Sequence, residues 1–252
     1  MALIDFKSGN PTLGKNAFQQ TLVQGEEVMT FNGTINKFMF MFFMLMCSAV
    51  YTWHLYAIHV DITPYIWGGM IGGFVLALII MFKKEWSPFL APAYGLMEGL
   101  FLGAISAVFN DMFKVSAPFI IMQAVLLTFG VVIAMLVLYK TRIIKVTNKF
   151  RMIVIGATAG IGIFYLLTIV LGFFHVNIPF MYQGSTIGII FSLVVVAVAA
   201  LNLVLDFDMI DSSAEAGLPK YMEWYGAFGL MVTIVWLYLE ILRLLAKLNS
   251  RR

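Results

Sequence analysis

Seven apolar stretches separated by short polar connections account for most of the chain, at 38–58, 64–82, 88–109, 117–139, 152–174, 185–206 and 224–246. Each is close to the ~20 residues that an α-helix needs to cross about 30 Å of hydrocarbon. Backbone groups inside lipid have no water to bond, so stretches of this kind span as helices. The pattern therefore predicts an all-α membrane protein with seven transmembrane helices. The connections are too short for a second folded domain. The expected organisation is a polar segment over 1–37 followed by a transmembrane domain over 38–252.

Within the stretches, small residues recur four apart: Gly68 with Gly72, Gly69 with Gly73, Gly99 with Gly103, and Gly156 with Gly160. This spacing lets helix backbones approach closely, and packing alone accounts for it. Met39, Met41, Met44 and Met46 read as adaptable packing material in the same sense.

Composition agrees with the pattern. Of 252 residues, 62% are hydrophobic and 12% charged, against about 25% charged in soluble domains. No charged leader, short apolar core and cleavage site open the chain, so the first 37 residues are expected in the mature protein. The single cysteine, Cys47, lies in an apolar run and reads as a packing residue.

Charge placement orients the bundle. With seven crossings, eleven of the sixteen Lys and Arg residues fall on the N-terminal side, which puts the N-terminus in the cytoplasm. Four of the five exceptions, Arg243, Lys247, Arg251 and Arg252, close the chain. A re-entrant last segment would place them inside as well. Its length, 224–246, favours a full crossing.

Three acidic residues lie in or at the ends of spans, where an ionisable group marks an interior surface or an ion path. In the sixth stretch, steps of three and four back from Asp206 meet Asn202, Ala199, Val195, Ser192, Gly188 and Ser185. One narrow stripe of small and polar residues thus ends in a carboxylate. Asp208 lies about 200° around the helix, with Val204, Leu201, Ala197, Val194 and Ile190 on its own stripe. Asp206 is the candidate functional acid, and Asp208 and Asp211 read as a solvated helix end. In the seventh stretch, Gly226, Gly229, Thr233, Trp236, Glu240, Arg243 and Lys247 form a matching stripe. There Glu240 either serves the path or simply pairs with Arg243 one turn later. Glu98 shares its face with Gly95 and Ala91 and has no basic residue in its span. It is expected to find a partner on another helix or to be protonated, lining an ion path or joining helices.

Other chemistry is excluded or faint. His54, His59 and His175 show no ligand spacing, and no nucleophile elbow, phosphate loop or HExxH motif occurs. Neither an enzyme nor a tightly bound cofactor is expected. The basic run KTRIIKVTNKFR at 140–151 is a topology signal and a candidate contact for anionic lipid, with nucleic acid not expected as a partner. Carboxylate oxygens are what Ca²⁺ selects, so an acidic path suits calcium as the transported ion, with Asp206 and Glu240 as its candidate ligands.

Four segments carry a family resemblance: MTFNGTINK at 29–37, APAYGLMEGLFLGAIS at 91–106, LDFDMID at 205–211 and PKYMEWYGAFGLMVTIVWLYLEILRLL at 219–245. Through them, over about 29–247, the chain resembles the transmembrane Bax inhibitor motif (Bax inhibitor-1-like) family, most closely a bacterial branch. The resemblance implies a seven-helix fold with the C-terminal helix central. It implies a pH-sensitive calcium leak in a bacterial inner membrane, gated by acids on the sixth and seventh helices, at the positions of Asp206 and Glu240. It also offers an alternative, a membrane-embedded regulator that binds a membrane protease without transporting ions, as some bacterial relatives do. A monomer or weak oligomer is expected. Two departures stand out: the second acid is Glu, and about ten extra residues separate the pair. The two acids then meet only if 220–227 lies along the interface or the last helix is re-entrant.

Overall fold

Among the described residues, seven α-helices follow the seven apolar stretches in order: α1 Phe31–Ala57, α2 Thr63–Phe82, α3 Ser87–Met112, α4 Ile120–Lys140, α5 Asn148–Phe173, α6 Thr186–Glu215 and α7 Met222–Asn249. A computed structural model of the chain describes residues 27–174 and 184–250. The expectations for residues 1–26, His175, Arg251 and Arg252 lie outside the described residues. All seven helices are long and apolar enough to cross a membrane.

Local chemistry sets the helix starts. Thr30, Thr147 and Ser185 precede α1, α5 and α6, and each hydroxyl accepts from the backbone N–H three residues on, satisfying a donor that the helix leaves unpaired. Proline near the start of α2 and α3 lacks an N–H that would be orphaned there. In the loop before α2, Asp61 accepts from Thr63 N at 2.9 Å, which holds its carboxyl below the usual range.

Two helices run past their apolar stretches. α1 begins at Phe31, so the last seven residues of the polar 1–37 segment are helical. α6 continues to Glu215 because Phe207 and Ile210 still bury one face beyond Asp206. α7 is one uninterrupted helix of 28 residues, about 42 Å at 1.5 Å per residue, long enough for a full crossing.

α7 forms the centre. It packs against α1, α3, α4 and α6, and 61% of its apolar window is buried, against 11% for α5. Met231, Leu237 and Leu242 of α7 join Leu203 and Phe207 of α6 and Met41 of α1 in the core. Tyr94 of α3 meets Phe228 of α7 edge to face, with ring centroids 4.9 Å apart.

The four-residue glycine spacing is used at two seams. Gly99 and Gly103 press α3 against the Leu45 and Ala49 carbonyls of α1, where no Cβ fits. A Cβ on Gly69 of α2 would lie 2.7 Å from Met97 O and 2.8 Å from Phe101 N of α3. Gly68, Gly156 and Gly160 instead face open space, so those spacings mark no helix contact here. The methionines divide too: Met41 is fully buried, while Met39 and Met46 point outward.

Candidate functional site

α5, α6 and α7 enclose a file of polar side chains that crosses the bundle. The register follows from two contacts between α6 and α7. Asp206 lies within hydrogen-bonding reach of Thr233, and fourteen residues back along α6, Ser192 Oγ accepts from Lys247 Nζ at 2.8 Å. Lys247 lies fourteen residues beyond Thr233, so the two helices run antiparallel without slipping.

α5 supplies the third wall at intervals of seven residues. Arg151 donates to Asp208 at 2.8 Å. One heptad on, Thr158 Oγ1 accepts from Asn202 Nδ2 at 2.7 Å. One heptad further, the Tyr165 hydroxyl donates to Glu240 Oε1 at 2.9 Å. A spacing of seven keeps all three residues on one helix face. α5 buries little apolar surface, and these polar contacts tie its inner face to the bundle.

Glu240 is 1% exposed. Its Oε1 accepts from Arg243 Nη1 at 2.7 Å as well as from Tyr165, and Arg243 Nη1 also donates to the Tyr165 hydroxyl at 2.8 Å. One turn on, Lys247 donates to Ser192 and to the Gly188 carbonyl at 3.2 Å. Lys247 is thus drawn into the bundle, whereas the Arg243 side chain stays 40% exposed while it reaches back to Glu240.

Asp206 and Glu240 share no hydrogen bond. Thr233, opposite Asp206, and Glu240 are seven residues apart on α7, two turns or about 10 Å of rise. α7 runs unbroken from Met222 to Asn249, so no bend brings Glu240 back to Asp206. The pairing of Glu240 with Arg243 one turn later is what the structure contains. Each acid keeps one oxygen that is buried and has no hydrogen-bond partner among the described residues: Asp206 Oδ2 and Glu240 Oε2. No group of three His, Cys, Asp or Glu side chains among the described residues converges into a metal-sized site.

The remaining predicted residues lie elsewhere on the file or outside it. The stripe on α6 is buried from Gly188 through Ala199, after which burial shifts to Leu203, Phe207 and Ile210. Asn202 and Asp206 are left half-buried, Asn202 against Thr158 of α5 and Asp206 against Thr233 of α7. Asp208 and Asp211 are not simply solvated: Asp208 pairs with Arg151, and Asp211 lies 3.6 Å from Lys140 Nζ and accepts from the Tyr139 hydroxyl at 3.1 Å. They border an open cavity of about 420 Å³, walled on the other side by Lys140, Arg142 and Lys145. Glu98 stands apart, between α2 and α3. Tyr94, one turn back on its own helix, lies within reach of its carboxyl, and Gly73 of α2 lies against it.

One acid escaped the reading of the sequence. Glu223, in the first turn of α7, is fully buried. It accepts from Thr30 N at 2.9 Å and Thr30 Oγ1 at 3.0 Å, pairs with Lys37, and lies 3.5 Å from Lys220. In the loop, Lys220 is held above its usual pKa by its bond to Glu27 and by Glu223. Beside this cluster Met29 N donates to Leu218 O at 2.7 Å, within a bridge of Val28 to Pro219. The signal was present as motif only, since MTFNGTINK and PKYMEWYG hold the two halves. Neither has an intramembrane acid or a periodicity that points to the other.

Seven helices long and apolar enough to cross a membrane, with the seventh buried among α1, α3, α4 and α6, define a multi-pass integral membrane protein. The family model for Bax inhibitor 1 like proteins matches residues 10–250, and the chain belongs to that family. Neither the comparison with curated proteins nor that with solved structures returned a match.

Proposed function

We propose that the chain is a pH-sensitive cation leak, with calcium as its principal ion, and that the path follows the α5–α6–α7 polar file. The observation that carries this reading is the pair of buried, unpartnered carboxylate oxygens, Asp206 Oδ2 and Glu240 Oε2, on that file. A buried acceptor without a donor is unfavourable, and its position on a file of hydroxyl, amide and carboxyl groups suits a passing cation or proton. The open acidic and basic cavity beside Asp208 and Asp211 provides a mouth on the N-terminal side.

In this mechanism Asp206 is the proton-sensing group. Protonated, it is neutral and the seam around Thr233 stays closed. Deprotonated, it leaves an anion in a medium of low effective dielectric, where a charge interacts by ~4 kcal/mol or so with another 4 Å away. Cations and water enter to screen it, so flux rises with pH. Glu240, already paired with Arg243 and Tyr165, acts as the second carboxylate further along. Calcium here is cargo passing the file, with no resident metal invoked. The charge bias of its connections favours an N-terminus in the cytoplasm, and the resemblance to the bacterial branch of the family favours a bacterial cytoplasmic membrane.

The test is flux of Ca²⁺ and of monovalent ions in liposomes across pH. Calcium flux that rises with pH in the wild type and loses this dependence in Asp206→Asn supports the mechanism. A pH profile unchanged by that substitution overturns it.

A second reading, regulation of a membrane protease by binding, is favoured by the tie between residues 28–30 and the start of α7. A partner that grips the N-terminal segment would act directly on the central helix. Co-purification of a membrane protease, lost on deleting residues 1–26, together with no ion flux, would favour this reading over transport.

A further inference from the structure

A groove of about 200 Å³ lies among α1, α3, α4 and α7, in the half of the bundle away from the N-terminal side. Its inner wall includes Leu102, Met231, Ile234 and Val235, all buried side chains of α3 and the central helix. Its rim carries Val50 of α1 and Val125 of α4, both exposed at the outer surface of the bundle. Phe42 and Phe129, edge to face at 5.5 Å, close the end nearer the N-terminal side. Beyond that ring contact α1 and α4 have no extended packing of their own, which leaves the side of the groove open.

The wall offers nothing for water to bond. Ser106 Oγ and Tyr238 OH, 2.6 Å apart, share a hydrogen bond, and Thr128 Oγ1 donates to Ala124 O at 2.7 Å. A buried water needs two to four polar partners, and cavities without them stay dry. Left empty, the groove would forfeit contacts along its whole lining. A partner's α-helix, about 10 Å across, is too broad for it. The groove is continuous with the belt of exposed apolar side chains that faces lipid, including Phe43, Leu126 and Met122. A single hydrocarbon chain meets all of these conditions.

We propose that this groove is a lipid site, which takes one acyl chain of a phospholipid from the leaflet opposite the N-terminal side and seats it against Met231 and Val235 of α7.

The full chain is reconstituted in vesicles of phosphatidylcholine that carries a diazirine midway along one acyl chain, photolysed, and the labelled residues mapped by mass spectrometry. Label is expected several-fold enriched on Leu102 and on 231–235 relative to Ile163 and Leu166, which face outward on α5. Val50→Trp and Val125→Trp, which fill the rim, are expected to abolish the enrichment at unchanged helicity. Val137→Trp, on the outward face of α4, is expected to leave it intact. Label spread evenly over the lipid-facing surface overturns the proposal, as does enrichment indifferent to both rim substitutions. Should the rim variants fail to fold, the wild-type labelling pattern decides by itself.

Discussion

Glu240 lies 2.7 Å from Arg243, one turn along the same helix, rather than beside Asp206. The two acids of the seam therefore belong to different clusters, one with Thr233 and one with Tyr165 and Arg243. Groups this far apart that share no partner behave nearly independently.

The first prediction follows from that separation. Asp206→Asn is expected to flatten the pH profile of liposome flux, and Glu240→Gln to lower the flux without removing its pH dependence, so that the double variant shows both changes. Flux titrations of the two single variants and the double variant measure this. A double variant indistinguishable from either single one would show that the acids act as one coupled pair.

A second prediction concerns Glu223. It is buried with donors from Thr30 and Lys37, and removing one partner of a buried pair leaves the other charge uncompensated. Lys37→Met is expected to destabilise the folded protein by about 3 kcal/mol, with Lys37→Met/Glu223→Gln recovering part of the loss. Thermal or denaturant unfolding in detergent reads this out. Equal stability of Lys37→Met and wild type would refute it.

The glycine seams make a third. Gly103→Leu places a side chain against the Ala49 carbonyl and the Thr52 hydroxyl across the α1–α3 contact, and is expected to cost ~3 kcal/mol or prevent folding, as overpacking does. Gly160→Ala, which meets open space, is expected to be neutral or mildly stabilising because alanine favours the helix. Comparable losses in both variants would contradict the assignment of the seams.

The hydroxyl pair at the base of the groove makes a fourth. Tyr238→Phe leaves the Ser106 hydroxyl without its partner across the α3–α7 contact, at an expected cost of about 1–2 kcal/mol. Adding Ser106→Ala should restore most of it, since neither group is then left unmade. A double variant as unstable as Tyr238→Phe alone would count against the bond.

How much of the site was legible varied from residue to residue. Asp206 was readable because its stripe of small and polar neighbours stands out in an apolar helix. The polar face of α5 was not, since Arg151, Thr158 and Tyr165 are unremarkable until Asp208, Asn202 and Glu240 are set opposite them. For Glu98 the sequence left two alternatives, a partner on another helix or a protonated carboxyl. Its partner, Tyr94, lies one turn back on its own helix, a choice that rotamer and packing make and spacing alone does not.

By itself the sequence determined the number of helices, their order and their membrane character. Apolar runs of this length have one way to satisfy their backbone groups in lipid, so these features are local. The tertiary structure decided which seams the glycines close, where α6 and α7 come into register, and therefore that Asp206 and Glu240 sit two turns apart. It also brought Thr30 and Lys37 to Glu223 across nearly the whole length of the chain. Such pairings depend on how helices rotate and slide against one another, and that is settled by close packing among all of them at once.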